Sequence, residues 1–315
     1  MIDLHSDTIY ALWKRGEGTL LENRLSVTKA SLEQGGVTGQ CFALFVAASE
    51  HLDESHRGMT PWEVASSLHD RFLLEMERSG IPIMRKADEL EGDGLHAILT
   101  TEEGALLEGD LSRISTLRDW GVRIFSLTWN YENELAYPNS EDPLIMAKGL
   151  KEKGIEAIAE CEEKGICIDV SHLNDGGFYD VARHSTKPFV ATHSNSRSMT
   201  DVTRNLTDDM LRVLADHGGV AGLNFCPSFL ISPGEEKESR ISDMVRHVMH
   251  IYRVAGEDVL AIGTDFDGIS GKLEIGHPSE IHLLREALAG AGLSESVLDK
   301  MWKGNALRVL RDTEV

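Results

Sequence analysis

The sequence predicts an α/β protein built as a (β/α)8 barrel. Short apolar, β-branched runs alternate with longer segments of helical period, and eight such runs can be counted. Most of them are continuous rather than alternating, as strands of a parallel sheet covered on both faces must be. A doubly wound open sheet is the fallback. Such a sheet usually carries a glycine-rich phosphate loop after its first strand, and none stands here.

The elements follow in order. The first strand is expected at Ile2–His5 and the second at Val37–Ala47, with a long insertion after it, Ala48–Thr60. Thr60-Pro61 places proline in a first helical turn, so a helix runs Pro61–Arg78 and Gly80 follows its end. Strands at Ala97–Thr101 and Val122–Thr128 flank a helix at Leu111–Trp120, which Gly121 closes. A second insertion, Asn130–Pro143, holds Tyr131, Tyr137 and Pro138. Loops that leave the C-terminal ends of barrel strands shape the substrate site. A helix at Lys148–Glu163 precedes Gly165 and strands at Ile166–His172 and Phe189–His193. The helix Asp208–His217, the strand Val220–Phe225, the helix Ser242–Ala255 and the strand Val259–Thr264 complete the series. An amphipathic helix over Glu295–Leu310 closes a single domain spanning residues 1–315.

Composition narrows the function. The chain has 31 Lys+Arg against 52 Asp+Glu, a net charge of −21. That excess argues against nucleic acid, whose phosphates need basic side chains, and against an anionic membrane surface. It suits a protein that holds divalent cations. No run reaches the ~18 apolar residues of a membrane span, and the first residues have no basic leader, so a cytoplasmic protein is expected. Cys41, Cys161, Cys167 and Cys226 lack CxxC or disulfide-scaffold spacing; Cys41, Cys167 and Cys226 sit in or beside apolar strand-like runs and read as buried free thiols of a reducing compartment.

The strand ends carry the chemistry. They read His5-Ser6-Asp7, Glu102-Glu103-Gly104, Asp169-Val170-Ser171-His172, Thr192-His193-Ser194-Asn195 and Gly263-Thr264-Asp265-Phe266-Asp267-Gly268. In a barrel these ends converge on one mouth. Neutral imidazoles and carboxylates are ligands of zinc and similar cations, and so many carboxylates together would be unfavourable without cations. A lone histidine or aspartate at a strand end is ordinarily a hydrogen-bonding or capping residue; the joint pattern is what points to a metal. His69, His184, His217, His247, His250 and His282 fall in helical or loop segments and read as surface or capping residues.

These motifs resemble those of the membrane (renal) dipeptidase family, zinc dipeptidases on an amidohydrolase-like barrel. The resemblance runs from Asp3-Leu4-His5-Ser6-Asp7 to Gly304-Asn305-Ala306-Leu307-Arg308-Val309-Leu310. It implies two zinc ions per chain, one on His5, Asp7 and Glu103, the other on His172 and His193, with Glu103 bridging. It implies Asp265 as the acid–base residue and Arg204, in Val202-Thr203-Arg204-Asn205, as the anchor of a dipeptide's C-terminal carboxylate. Tolerance of a C-terminal D-residue and a homodimer are implied as well. The chain departs from the family at Leu127-Thr128-Trp129-Asn130-Tyr131, where Trp129 stands in place of a substrate-contacting histidine. Trp129 and Asn130 are therefore expected to line the substrate pocket. A different metal-dependent amidohydrolase, and a metal-binding relative without catalysis, are the alternatives.

Overall fold

A computed structural model describes residues 1–46, 56–231 and 238–315. Eight parallel strands close a barrel: β1 (Ile2–Asp3), β2 (Gly39–Phe45), β3 (His96–Glu102), β4 (Val122–Ser126), β5 (Cys167–Asp169), β6 (Val190–Ala191), β7 (Val220–Leu223) and β9 (Leu260–Ile262). A small parallel pair, β8 (Glu238–Ser239) with β10 (Lys272–Leu273), stands apart from it. All eight expected strands are present, several of them shorter than the apolar runs that announced them. The runs overshoot because their last residues leave the ladder and turn toward the barrel mouth. Most of the expected insertion at Ala48–Thr60 lies outside the described residues.

The helices form for local reasons. Pro61–Ser79 opens on a capping box between Thr60 and Glu63 and ends at Gly80 in the left-handed conformation. Helices at Arg113–Trp120, Glu152–Glu163, Asp208–Asp216 and Ile241–Ala255 match the expected segments. Those at Thr8–Arg15, Lys29–Gln34, Asp175–His184 and His282–Gly290 were not anticipated. The closing segment is broken: a wide turn at Lys300–Gly304 separates Glu295–Asp299 from Asn305–Thr313.

One buried residue from each strand joins a single apolar cluster inside the barrel: Ile2, Cys41, Ile98, Ile124, Cys167, Val190, Val220 and Ala261. Ala306, Leu307, Val309 and Leu310 of the last helix pack against that cluster and plug the foot of the barrel. The interior is thus apolar below and closed at one end. Polar side chains inside the barrel can meet solvent only at the C-terminal ends of the strands.

Candidate metal centre at the barrel mouth

The tips of β1 and β9 are tied together, Leu4 N donating to Ile262 O and Asp265 N to His5 O at 2.9 and 3.2 Å. This brings His5, Asp7 and Asp265 onto one wall. The His5 Nε2 lies 3.6 Å from Asp7 Oδ2 and 3.9 Å from Asp265 Oδ1. Gly268 is needed beside them, because a Cβ there would collide with both carboxylates. Across the mouth, His172 and His193 bring their Nε2 atoms to 3.0 Å of each other.

Glu102, not Glu103, stands between the two groups. Its Oε2 lies 3.4 Å from His5 Nε2, and its Oε1 lies 2.9 and 3.6 Å from the Nε2 atoms of His172 and His193. Glu103, expected as the bridging residue, faces away. Its Oε1 accepts from Ala105 N and Asn133 Nδ2, and its Oε2 from Trp129 N. The cause is strand parity. Ile98 points into the barrel, so Thr100 and Glu102 do too, while Glu103 belongs to the opposite face and turns out of the strand at φ 109°. The run Ala97-Ile98-Leu99-Thr100-Thr101 is buried on both faces and does not alternate, so this parity shows only in the structure.

The other expected residues lie around one cavity of about 610 Å³. Arg204 is buried and faces it, one guanidinium nitrogen donating to Ser171 O and the group resting over the Phe229 ring. Trp129 forms part of the wall, edge-on to Phe45 at 4.8 Å between ring centres. Asn130 also lines the cavity, but its Oδ1 is engaged 3.0 Å from His172 Nδ1. Asp267 is held by Thr8 Oγ1 and Ser26 N, which donate to it at 2.6 and 2.7 Å. Asn224 was not anticipated. Fully buried at the end of β7, it donates to Asp265 Oδ2 at 2.9 Å and to His193 O at 3.1 Å, fixing one oxygen of the aspartate.

Of the histidines expected at the surface or in caps, His69 stacks on Trp120 and His250 pairs with Asp208. His247 departs from that expectation: it is fully buried on the inner face of its helix and accepts from Ser196 N. The cysteines are free, and three are buried; Cys226 departs from the expectation by being half-buried at the cavity.

Electrostatics show what the site lacks. Burial, with Glu102 nearby, pushes the Asp7 carboxyl up to about 6, and burial pushes Asp265 up to about 7. Burial and the Arg204 charge lower His172 to about 4, and burial with His5 lowers His193 well below the usual range. Burial also opposes charge on His5, but Glu102 and Asp7 outweigh it and raise His5. Two carboxyls raised by burial, two imidazoles held neutral and a third kept charged by its carboxylate neighbours are what a divalent cation would reconcile. The geometry agrees: the sets His5–Glu102–His193 and His5–Asp7–Asp265 each gather ligand atoms within 4.8 Å of one another. His5 Nε2 and Asp7 Oδ1 are buried without a hydrogen-bond partner. The residues fit a metal centre.

Comparison with known proteins gives the family. The chain matches the membrane dipeptidase family, peptidase family M19, over residues 1–315. It is 38% identical to an uncharacterised Klebsiella pneumoniae protein from the pqqA 5′ region, over 61% of this chain and 72% of that one. It is 30% identical to an uncharacterised dipeptidase of Schizosaccharomyces pombe, over 71% of this chain and 52% of that protein. Among solved structures, a Rhodobacter sphaeroides metallopeptidase liganded with a phosphinate mimic of L-Ala-D-Ala superposes with a TM-score of 0.88. The identity is 27%, and 99% of this chain and 98% of that one are covered. A metallopeptidase described as dipeptidase AC is 28% identical with a TM-score of 0.89, over 99% and 98% of the two chains.

Proposed function

The chain belongs to the membrane dipeptidase family and is a metallo-dipeptidase; from that premise we propose that it cleaves dipeptides with two zinc ions. Its substrates on this reading include dipeptides with a C-terminal D-residue. The observation that carries the metal assignment is Glu102, one carboxylate facing three imidazole nitrogens at the closed end of the cavity. His5 and Asp7 would hold one ion and His172 and His193 the other, with Glu102 shared between them. Such a pair, when bound, lowers the pKa of a water toward ~7 and polarises a carbonyl.

The chain's own residues do the rest. Asp265, with Oδ2 held by Asn224, keeps Oδ1 free to take the proton of the attacking water and return it to the leaving amine nitrogen. Arg204 swings its guanidinium from Ser171 O onto the substrate's terminal carboxylate. That contact fixes the scissile bond one residue from the C-terminus. Trp129 and Phe45 supply an apolar wall for a side chain and exclude water from that side.

Among the described residues no helix is long and apolar enough to cross a membrane. The free thiols support a reducing compartment, and we assign the protein to the cytoplasm on that ground.

The zinc-loaded protein should hydrolyse L-Ala-L-Ala and L-Ala-D-Ala. It should leave their C-terminal amides and N-acyl amino acids untouched. Cleavage of N-acyl amino acids in preference to dipeptides would contradict the reading.

A further inference from the structure

Beneath the ligand histidines lies a buried carboxylate that the chemistry above does not use. Asp169, at the end of β5, is fully enclosed and accepts five hydrogen bonds. Its Oδ1 takes Ser171 N, Ser171 Oγ and Thr192 N at 3.1, 2.7 and 2.9 Å. Its Oδ2 takes Ser126 Oγ at 2.6 Å and Thr192 Oγ1 at 2.9 Å. Ser171 Oγ also lies 3.0 Å from Thr192 Oγ1, but it gives its own proton to Asp169 Oδ1, and the single hydroxyl proton of Thr192 goes to the carboxylate oxygen Oδ2 that faces it. The lone pairs of that hydroxyl then face His193 Nδ1, 2.8 Å away. Nδ1 must be the donor in this contact. Nε2 is left without a proton, directed at Glu102 Oε1 and His172 Nε2.

We infer that Asp169 and Thr192 are positioning residues that set the proton of His193 on Nδ1 before any cation arrives, so that Nε2 is presented as a ready ligand. The inference rests on reading His5, Asp7, Glu102, His172 and His193 as a metal centre, and it names what prepares one of those ligands. A carboxylate acting on a ligand histidine through a hydroxyl orients the ring and fixes its tautomer, and losing such a partner typically lowers metal affinity about 10–100-fold. The competing explanation is that the hydroxyl only ties β5 to β6. That role would make itself felt in folding stability and would not single out one ion.

Thr192→Val keeps the side chain's shape and removes the acceptor; Thr192→Ser keeps the acceptor. Each variant and the parent would be loaded with zinc, dialysed against graded chelator and assayed for metal per chain. Parent and Thr192→Ser should release their ions at the same free-zinc level. Thr192→Val should lose one ion at a free-zinc level about 10–100-fold higher. Equal retention by all three overturns the inference. A second measurement needs no variant: ¹⁵N-histidine NMR of the metal-free parent should find the His193 proton on Nδ1. A proton on Nε2 overturns the inference even if Thr192→Val does not fold. A parent that takes up no metal contradicts the metal centre itself, an outcome distinct from both.

Discussion

Glu102→Gln and Glu103→Gln, made side by side, should fail in opposite ways. The two glutamates are adjacent, both buried, and both at the end of β3. Glu103 satisfies three donors: Ala105 N and Asn133 Nδ2 at one oxygen, Trp129 N at the other. A glutamine keeps one oxygen and replaces the other by an NH₂. If the oxygen stays with the first pair, the amide faces Trp129 N–H, donor against donor. Leaving one buried donor unsatisfied costs about 1–3 kcal/mol. Equilibrium urea unfolding of metal-free Glu103→Gln should therefore show a loss of that size, with zinc uptake per chain unchanged. Among the described residues the Glu102 carboxylate accepts from no backbone donor; it faces His5, His172 and His193. Glu102→Gln should weaken the protein's hold on zinc, which Glu103→Gln should not. The assay is zinc per chain after dialysis against a weak chelator, measured on the same samples as the unfolding curves. If Glu103→Gln loses zinc and Glu102→Gln keeps it, the parity argument is wrong and Glu103 is the shared ligand.

Asp265→Asn should lower turnover about 10²–10⁴-fold with zinc content kept, and steady-state rates on L-Ala-L-Ala will read this. The same change should alter the pH dependence of stability in the metal-free protein. The Asp265 carboxyl is raised from 3.8 to about 7, so its contribution is present below 3.8 and lost as pH rises toward 7. Unfolding curves at pH 5 and pH 8 should show the asparagine variant losing less stability across that interval than the parent. Arg204→Ala should weaken dipeptide binding by about 1.5–3 kcal/mol, the value of a charged hydrogen bond. Amidating the substrate's C-terminus should reproduce the loss in the parent and add little in the variant. Trp129→His should shift the ratio of kcat/KM between large apolar and small N-terminal residues by about tenfold, without raising the best rate. An unchanged ratio would make Trp129 a packing residue only.

The barrel was legible because its signals are local and repeated. Continuous apolar runs such as Val220–Leu223 and Leu260–Ile262 mark strands covered on both sides. Gly80 and Gly121, both left-handed, close the helices that precede them. The helix Asp175–His184 was hidden because Gly176 and Gly177 weaken its helical signature; its start is set by the Asn174 cap. At the site, His5, Asp7, His172, His193 and Asp265 were readable as ligand-type residues at strand ends. The shared glutamate was misplaced by one residue, since adjacent carboxylates look alike in composition and only strand parity tells them apart. Asn224 was missed for a different reason. A neutral amide after an apolar strand carries no metal-ligand signature, and its role appears only where the barrel brings it to Asp265.

The most direct test of the account is a zinc titration of metal-free protein that follows bound metal and L-Ala-D-Ala hydrolysis together. Two ions should bind per chain, with activity absent in the metal-free protein and complete only as the second site fills. Hydrolysis by protein shown to be free of metal, or full activity with no dependence on added zinc, would contradict it.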